Sequence, residues 1–242
     1  MTAIKLGLLG ASGKMGQAVS ELIKKEFSEK ISLSHSTSQG EPMAPLLDTD
    51  VVIDFSTPSA MAELAKQAYV QAGAGKKIPC FVIGSTGWKI DDRREVETLS
   101  EKAPMVMSSN FSTGVAALLE VLKFANPLLE KLKYTPVIVE SHHRTKKDSP
   151  SGTAVSLQRV IAPMGPGNVQ THSVRAGETI GNHEITFHGK YDHITLGHFA
   201  QDRAIFARGA LEVALWLTQK RAASPELTGT LGMDAFFKEN YL

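Results

Sequence analysis

The stretch that decides the fold is Ile4-Lys5-Leu6-Gly7-Leu8-Leu9-Gly10-Ala11-Ser12-Gly13-Lys14-Met15-Gly16. An apolar run typical of a β-strand leads into three glycines, and an amphipathic segment that predicts a helix over residues 13–27 follows. Glycines allow a sharp turn, and the free N–H groups at a helix N-terminus bind phosphate. The unit therefore predicts a dinucleotide pyrophosphate site, although its spacing is GxxGxxG rather than the general GxGxxG.

Outward from this unit, short apolar runs alternate with amphipathic segments of about 10–15 residues, a pattern typical of βαβ units. The predicted strands are Ile4–Leu9, Ile31–His35, Val51–Phe55, Cys80–Ile83 and Met105–Ser108, and the later helices run from Pro58 to about Ala72 and over Asp91–Lys102. This alternation predicts an α/β fold with a Rossmann-like, doubly wound parallel sheet.

The pattern changes after residue 111. Ser112–Leu132 is helical and interrupted by Pro127, Thr135–Ser141 is a strand, and Gly152–Ile161 is a helix. Residues 172–199 are rich in β-strand character, with loose alternation that favours antiparallel strands. Gln201–Lys220 is again helical. We expect a dinucleotide-binding domain over residues 1–111 and 206–242, with an inserted α+β domain over residues 112–205.

Two loops with small, hydrogen-bonding residues follow predicted strands, at Gly84–Gly87 and Ser108–Ser112. Loops at the carboxyl ends of parallel strands line the ligand crevice, so both suit a nicotinamide ribose and carboxamide. After the second strand, Leu33–Ser38 contains no carboxylate to bind an adenosine ribose. This absence favours NADPH over NADH weakly, with His35 and Lys14 available to a 2′-phosphate. An ordinary exposed histidine is an equally good interpretation of His35.

Composition excludes several classes of protein. Lys plus Arg total 26 and Asp plus Glu total 25, so the net charge of +1 predicts no broad attraction to nucleic acid or to an anionic membrane. The single cysteine, Cys80, excludes an internal disulfide and a thiolate zinc cluster, and its apolar neighbours predict a buried thiol. The sequence shows no signal peptide and no apolar run long enough to span a membrane, which favours a cytoplasmic protein.

The most informative loop is Glu140-Ser141-His142-His143-Arg144-Thr145-Lys146-Lys147-Asp148-Ser149-Pro150-Ser151-Gly152-Thr153-Ala154. Its basic residues and the helix start at Ser151–Thr153 suit capture of an anionic substrate. Histidine and lysine are also natural proton carriers for a reduction. A solvated charge run and a small nucleic-acid patch are the alternatives.

A metal site is not predicted in this loop. Adjacent histidines on a strand point to opposite faces, and no carboxylate or further histidine completes a standard ligand motif. The remaining histidines of the β-rich region are interpreted as solvent-facing strand residues; they are His172, His183, His188, His193 and His198.

The loop closely resembles the E-x-H-H-x-x-K-x-D-x-P-S-G-T-A signature of the dihydrodipicolinate reductase family. Further matches, in the family's order, are Gly10–Gly16, Gly84–Gly87, Ser109–Gly114, Val174–Gly177 and Gly181–His183. The resemblance covers nearly the whole chain. It implies reduction of 4-hydroxy-tetrahydrodipicolinate to tetrahydrodipicolinate by NADPH or NADH, in lysine and diaminopimelate biosynthesis, by a homotetramer.

The resemblance also implies residue roles. His142 is the proton donor and acceptor and Lys146 a proton donor. His143, Gly152 and Thr153 contact the substrate, to which the helix start adds Ser151. The implied cofactor contacts are Gly10, Ala11, Ser12, Gly13, Lys14, Met15, Gly84, Ser85, Thr86, Ser108, Ser109, Asn110 and Phe111. Ser85 stands where the family usually has threonine, and the acidic residue common after the family's second strand is missing from Leu33–Ser38.

Two other functions remain open at this point. A different two-domain dehydrogenase, such as a semialdehyde or amino-acid dehydrogenase, shares the predicted architecture, although the basic loop argues against it. A thioester-forming semialdehyde dehydrogenase would need a cysteine in its catalytic domain, and Cys80 lies in a strand of the first domain. A non-catalytic dinucleotide sensor would bind NADPH but has no need for both proton carriers.

Overall fold

A computed structural model describes residues 2–162 and 169–242. The chain forms two compact units, one of Met1–Phe111 with Ala204–Leu242 and one of Ser112–Arg203. The chain returns to the first unit at Ala204, two residues before the expected start of that segment, because the last long helix begins there. Within the described ranges, no helix combines the length and apolar character needed to cross a membrane.

The first unit is built on a six-stranded sheet in which all neighbouring strands are parallel, in the order β10-β5-β4-β3-β1-β2. Its strands are β1 (Ile4–Leu9), β2 (Ile31–Thr37), β3 (Val51–Asp54), β4 (Cys80–Ile83), β5 (Pro104–Met107) and β10 (Gly229–Leu231). Every residue of β3 and β4 is buried, as expected where helices cover both faces of a parallel sheet. The order reverses beside β1, which places a ligand crevice at the carboxyl ends of β1 and β3.

Two apolar clusters cover the two faces of this sheet. The helices are α1 (Lys14–Leu22, extended by a π-helical turn over Ile23–Phe27), α2 (Pro58–Gly73), α3 (Ile90–Ser100), α6 (Ala204–Ala223) and α7 (Met233–Tyr241), with a 3₁₀ turn at Ala44–Asp48. Helices α1, α6 and α7 pack into one cluster and α2 and α3 into the other. Gly209 allows α6 to approach closely, because a Cβ there would lie 1.8 Å from the carbonyl oxygen of Phe111.

The second unit has a mixed four-stranded sheet in the order β7-β6-β8-β9. Its elements are α4 (Thr113–Lys131), β6 (Thr135–His142), α5 (Gly152–Ile161), β7 (Gln170–Arg175), β8 (Asn182–His188) and β9 (His193–Phe199). Strand β7 runs parallel to β6, whereas β8 and β9 are antiparallel. Alternate residues such as Ile138, Ile185 and Phe187 form a core with α4 and α5 on one face.

Two expectations from the sequence need correction. Pro127 does not interrupt α4, which is one continuous helix. A proline removes only one backbone donor, and Leu122 and Leu129 are buried on either side of it, so packing holds both halves. The second strand is longer than predicted, because β2 continues past His35 to Thr37 by pairing with β1.

Candidate active site

The glycine turn after β1 forms a cradle with two positions, Gly10 and Gly16, that have no room for a Cβ. Gly10 has φ of +90°, and a Cβ on it would lie 2.7 Å from the carbonyl oxygen of Phe55. A Cβ on Gly16 would lie 2.3 Å from the carbonyl oxygen of Gly10. The N-cap of α1 is Gly13, and no side chain in the described part of the protein caps this helix. The free N–H groups and the bare backbone fit a pyrophosphate.

Backbone hydrogen bonds join the loops at this edge of the sheet. The amide of Gly10 donates to the oxygen of Thr37 at 2.9 Å, and that of Phe55 donates to Leu9 at 3.0 Å. Gly84 donates to Asp54 at 2.8 Å, and Ser108 to Ile83 at 3.0 Å. The strand-end loops predicted to contact the cofactor therefore lie along one edge of one sheet. Ser12, Gly13 and Lys14 are exposed on it.

Some of the predicted cofactor residues have structural partners of their own. Ser85 is buried, and its hydroxyl donates to the Asp54 carboxylate at 2.6 Å. Burial raises the pKa of Asp54, and hydrogen bonds from Ser56 and Ser85 oppose that rise. The Phe111 ring is 1% exposed and lies edge-on to Phe55, at 6.1 Å between centroids. The side chains of Ser85 and Phe111 thus support the crevice from within, and a cofactor could contact only the backbone of these two residues.

A carboxylate, that of Glu41, lies near the end of β2, just past the segment Leu33–Ser38. The Glu41 carboxylate accepts a hydrogen bond from the Ser38 amide at 2.6 Å. Ser38 directly follows Thr37, whose carbonyl oxygen accepts from the amides of Gly10 and Ala11. Glu41 lies beyond the segment from which the coenzyme preference was predicted, and it comes to the end of β2 through its hydrogen bond with the Ser38 amide.

In the second unit, the predicted proton carrier His142 is fixed by a buried glutamate. The Glu140 carboxylate lies 2.5 Å from Nδ1 of His142, two residues along the same strand. Residues two apart on a strand face the same way, so β6 directs both side chains into the unit. Burial lowers the pKa of His142, and the charges of Lys146 and Arg175 add to this, while Glu140 opposes it.

Arg175, on β7, holds the same carboxylate with two nitrogens. The two contacts measure 2.9 Å and 2.7 Å, one to each oxygen of Glu140. The amide of Ser151 donates to Glu140 as well, at 3.2 Å. Burial alone would raise the pKa of Glu140, but hydrogen bonds from Arg175, Ser173 and His142 outweigh it and lower the pKa to about 2. Glu140 is therefore ionised at neutral pH.

His183 belongs to this cluster, which corrects the interpretation of it as a solvent-facing strand residue. It is 2% exposed, and its ring lies edge-on to His142 with centroids 5.0 Å apart. Its Nε2 lies 3.0 Å from the hydroxyl of Ser151. Burial and then the charge of His142 lower the pKa of His183 to about 3. Its Nδ1 is buried without a hydrogen-bond partner among the described residues.

The basic loop connects this cluster to the N-terminus of α5. Lys146 forms an ion pair with Asp148 at 2.8 Å, and burial, which would raise the pKa of Asp148, is outweighed by Lys146, so that pKa falls. Ser151 caps α5 by accepting from the amide of Ala154 at 3.2 Å. The next residues, Gly152 and Thr153, open the first turn of α5. Lysine, histidine and a helix N-terminus thus lie in one short segment.

His143 lies just beyond β6, and its Nδ1 contacts the hydroxyl of Thr145 at 2.7 Å. Arg144 and Lys147 are exposed, as a solvated charge run would be. In this loop His142 is therefore buried, His143 and Lys146 are half-buried, and Arg144 and Lys147 are exposed.

Metal binding at this cluster needs separate consideration. Glu140, His142 and His183 offer ligand atoms within 4.8 Å of one another, so the sequence argument that nothing completes a ligand set was wrong. Both oxygens of Glu140 are already bound by Arg175, however, and a divalent cation would meet that positive charge. The donor set favours proton transfer over metal binding.

Three residues escaped the sequence argument as functional groups, namely Glu140, Arg175 and His183. The spacing of Glu140 and His142 was a usable signal, since alternate strand residues share a face. Arg175 and His183 lie on other strands, at a distance along the chain that no local spacing reveals.

Comparison with known proteins shows the family to which the chain is similar. The family model for the N-terminus of dihydrodipicolinate reductase matches residues 4–111, and the model for its C-terminus matches residues 114–236. The 4-hydroxy-tetrahydrodipicolinate reductase of Zymomonas mobilis is 33% identical, over 96% of this chain and 98% of that protein. The enzyme of the same name from Methanocorpusculum labreanum is 31% identical, over 95% of this chain and all of its own.

Solved structures show the same fold. The dipicolinate-bound dihydrodipicolinate reductase from Paenisporosarcina sp. TG-14 aligns with a TM-score of 0.67 at 20% identity, over 95% of this chain and 97% of that one. A probable dehydrogenase from Thermotoga maritima aligns with a TM-score of 0.58 at 12% identity, over 98% and 93% of the two chains. By its two matched family models and its relatives in sequence, the chain belongs to the dihydrodipicolinate reductase family.

Proposed function

We propose that this protein reduces 4-hydroxy-tetrahydrodipicolinate to tetrahydrodipicolinate with a reduced nicotinamide dinucleotide, in lysine and diaminopimelate biosynthesis in the cytoplasm. The observation that carries the proposal is the Glu140–His142 pair beside the capped start of α5, in a loop that also holds Lys146. A proton carrier, a cation and a helix N-terminus together suit reduction of an anionic ring.

The first unit would hold the dinucleotide. The fit is supported by the cradle at Gly10 and Gly16, where a Cβ would collide with backbone, and by the free N-terminus of α1. The implied contacts are the turn Gly10–Met15, of which Ser12, Gly13 and Lys14 are exposed, together with Gly84–Thr86 and Ser108–Phe111. Ser85 and Phe111 would contribute their backbone. The reduced nicotinamide supplies a hydride to the substrate ring.

The second unit would bind and protonate the substrate. The first turn of α5, at Ser151–Thr153, and the side chains of His143 and Lys146 suit the two carboxylates. Negative charge that develops on the ring during reduction is stabilised by the Lys146 ammonium. His142 starts neutral because its pKa is lowered, and a dianion bound nearby favours the protonated ring, which then delivers its proton.

Coenzyme use is part of the proposal. The sequence favours NADPH weakly because Leu33–Ser38 lacks a carboxylate, whereas the position of Glu41 near the end of β2 favours NADH. A carboxylate at the end of the second strand binds a ribose hydroxyl and repels a 2′-phosphate. We therefore propose that the protein accepts both NADPH and NADH, with Glu41 reducing the affinity for NADPH.

A homotetramer is the assembly that we propose. The face of the second unit's sheet opposite its core exposes apolar side chains: Val139 is 41% exposed, Val174 44% and Phe199 56%. Register places these three on one face, since Ser141 pairs with Val174 and Asn182 with Phe199. A second copy of this sheet would cover such a face. Sedimentation of the wild-type protein and of Val139→Glu tests this, and a monomeric wild type would refute it.

The activity itself is tested by following the absorbance of NADPH and NADH with and without the dicarboxylate substrate, prepared in situ. Oxidation that depends on the substrate supports the proposal. Coenzyme binding without oxidation would identify a sensor. Reduction of NADP+ or NAD+ by an amino acid or a semialdehyde, with no oxidation of NADPH or NADH by the dicarboxylate, would identify a different dehydrogenase.

A further inference from the structure

We infer that Glu140 is the positioning residue of His142: it holds the Nδ1–H of the ring and leaves Nε2 as the atom that exchanges the proton. The inference rests on the proposed function and adds to it the residue that orients the proton carrier, the atom that acts and the group that keeps the path to it open.

The hydrogen bonds of Glu140 determine which tautomer His142 adopts. Each oxygen of this buried carboxylate already faces donors: one contacts Arg175 and His142, and the other contacts Arg175 and the Ser151 amide. An ionised carboxylate only accepts hydrogen bonds. The close contact with His142 at 2.5 Å therefore requires a hydrogen on Nδ1, so that neutral His142 presents an unprotonated Nε2.

Arg175 keeps Glu140 in the state that this role requires. Its two parallel contacts stabilise the charged form of the carboxylate, and the backbone oxygens of Val174 and Asp148 fix the guanidinium in turn. Glu140 thus stays an anion through the whole catalytic cycle. It orients the ring and stabilises the imidazolium without taking the proton itself.

Gly181 leaves space at the other nitrogen. A Cβ on Gly181 would lie 3.0 Å from Nε2 of His142 and 3.3 Å from its Cδ2. Gly181 directly precedes β8, which also places His183 edge-on to the His142 ring. The ring is therefore held by Glu140 at Nδ1 and by His183 on its side, while Nε2 has no Cβ against it.

A purely structural role for Glu140 makes a different prediction. Glu140 joins β6 to β7 and to the start of α5, so its replacement also weakens the second unit. Such weakening lowers the amount of folded protein but does not select one ring nitrogen. The tautomer of His142 therefore separates positioning from simple support.

The primary experiment is ¹⁵N NMR of the histidine rings in the unaltered, full-length protein above pH 7. We expect neutral His142 to carry its hydrogen on Nδ1, with a strongly downfield proton signal. A neutral ring protonated at Nε2 overturns the inference and needs no variant. The measurement does not involve turnover, so an inactive protein with an Nδ1–H ring would refute the proposed function but leave Glu140 assigned.

The kinetic experiment uses Glu140→Gln, with Glu130→Gln on the exposed surface of α4 as the control. The glutamine amide donates to Nδ1 and shifts the hydrogen to Nε2. We expect kcat to fall about 10²-fold, with KM for the dicarboxylate within about threefold of wild type. A kcat within about threefold of wild type per folded molecule, or an unchanged tautomer, overturns the inference.

Gly181→Ala provides a test that does not alter Glu140. The added methyl group crowds Nε2, so we expect kcat to fall about tenfold while the Nδ1–H signal remains. Loss of that signal in Gly181→Ala, or full activity with the methyl group in place, would contradict the role of Nε2.

Discussion

The N-termini of helices α1 and α5, at which we propose that anions bind, are built in opposite ways. Helix α1 starts at Gly13 with no side-chain cap among the described residues, and glycines surround it. Helix α5 starts at Ser151, whose hydroxyl caps the helix and contacts His183 and whose amide donates to Glu140. One site is bare backbone, and the other is the end of a side-chain network.

The difference reflects what each site has to do. A pyrophosphate that is only held needs close approach to N–H groups, which any side chain at Gly10 or Gly16 would prevent. A substrate that is also protonated needs a ring held in one orientation, which requires side chains on several strands. The variants below either separate these two designs or measure one of them.

Removing the proton carriers should have the largest effect. We expect His142→Ala and Lys146→Ala each to lower kcat about 10²-fold or more, because charge on the substrate ring then develops without a proton donor or a cation. Coenzyme affinity should be unchanged, because the proposed coenzyme site is the glycine turn at the start of α1, which contains neither residue. Steady-state kinetics and coenzyme titration measure the two quantities separately.

Lys147→Ala is the matched control, because Lys147 is the exposed neighbour of Lys146 in the same loop. We expect it to keep nearly wild-type turnover. Near-wild-type kcat in both His142→Ala and Lys146→Ala would show that neither residue carries the proton.

A methyl group in the glycine cradle should damage the first site in two distinguishable ways. In Gly16→Ala the Cβ would lie 2.7 Å from Cα of Ala11, so we expect a loss of about 2–3 kcal/mol in unfolding free energy together with weaker coenzyme binding. In Gly13→Ala the nearest atom is 3.4 Å away, so stability should hold. Coenzyme affinity should still fall about tenfold, because the methyl group would lie at the helix N-terminus at which we propose that the pyrophosphate binds.

Urea unfolding and coenzyme titration of both variants measure these effects. Unchanged affinity in a stable Gly13→Ala protein would mean that the dinucleotide does not approach this helix. Equal stability of the two variants would show that the turn can relax around Gly16.

The same contrast explains how far the sequence could be interpreted. The α1 site is local: β1, the glycines and the helix follow one another, so spacing alone predicts it. The α5 site is assembled from Glu140, Ser151, Arg175 and His183, on different elements of the second unit. Strand β7 supplies Arg175, and no periodicity marked that strand within the β-rich region. Likewise β2 was predicted to end at His35, because only its pairing with β1 extends it to Thr37.

The buried network should also make stability depend on pH. His183 has its pKa lowered from 6.5 to about 3, first by burial and then by the charge of His142. Below pH 6.5 the unfolded chain binds a proton at this ring and the folded protein does not. Stability is therefore complete above that pH and falls as the pH drops toward 3, by about 2 kcal/mol between pH 6.5 and 5.

Urea unfolding of wild type and His183→Gln across this pH range measures the contribution of His183 to the pH dependence. Glutamine can accept a hydrogen bond from the Ser151 hydroxyl but does not titrate. His188→Gln, an exposed histidine on the same strand, is the control and should follow wild type. Identical pH dependence in wild type and His183→Gln would mean that the folded protein protonates this ring.

The smallest expected effect concerns coenzyme choice, at the bare-backbone site. The Glu41 carboxylate lies at the end of β2, where it accepts a hydrogen bond from the Ser38 amide. The preceding residue, Thr37, accepts hydrogen bonds from the amides of Gly10 and Ala11 in the glycine turn. Glu41→Gln keeps an oxygen for that amide but removes the charge, so we expect the affinity for NADPH relative to NADH to rise about tenfold.

Titration of each coenzyme at two salt concentrations measures the ratio of the two affinities, with Glu29→Gln, before β2, as the control. An unchanged ratio of the two affinities would show that the 2′-phosphate lies away from Glu41. His35 and Lys14 would then be the residues that determine the choice of coenzyme. A rise confined to low salt would show that Glu41 acts through its charge alone and makes no contact with the ribose, because only an exposed charge is screened in this way.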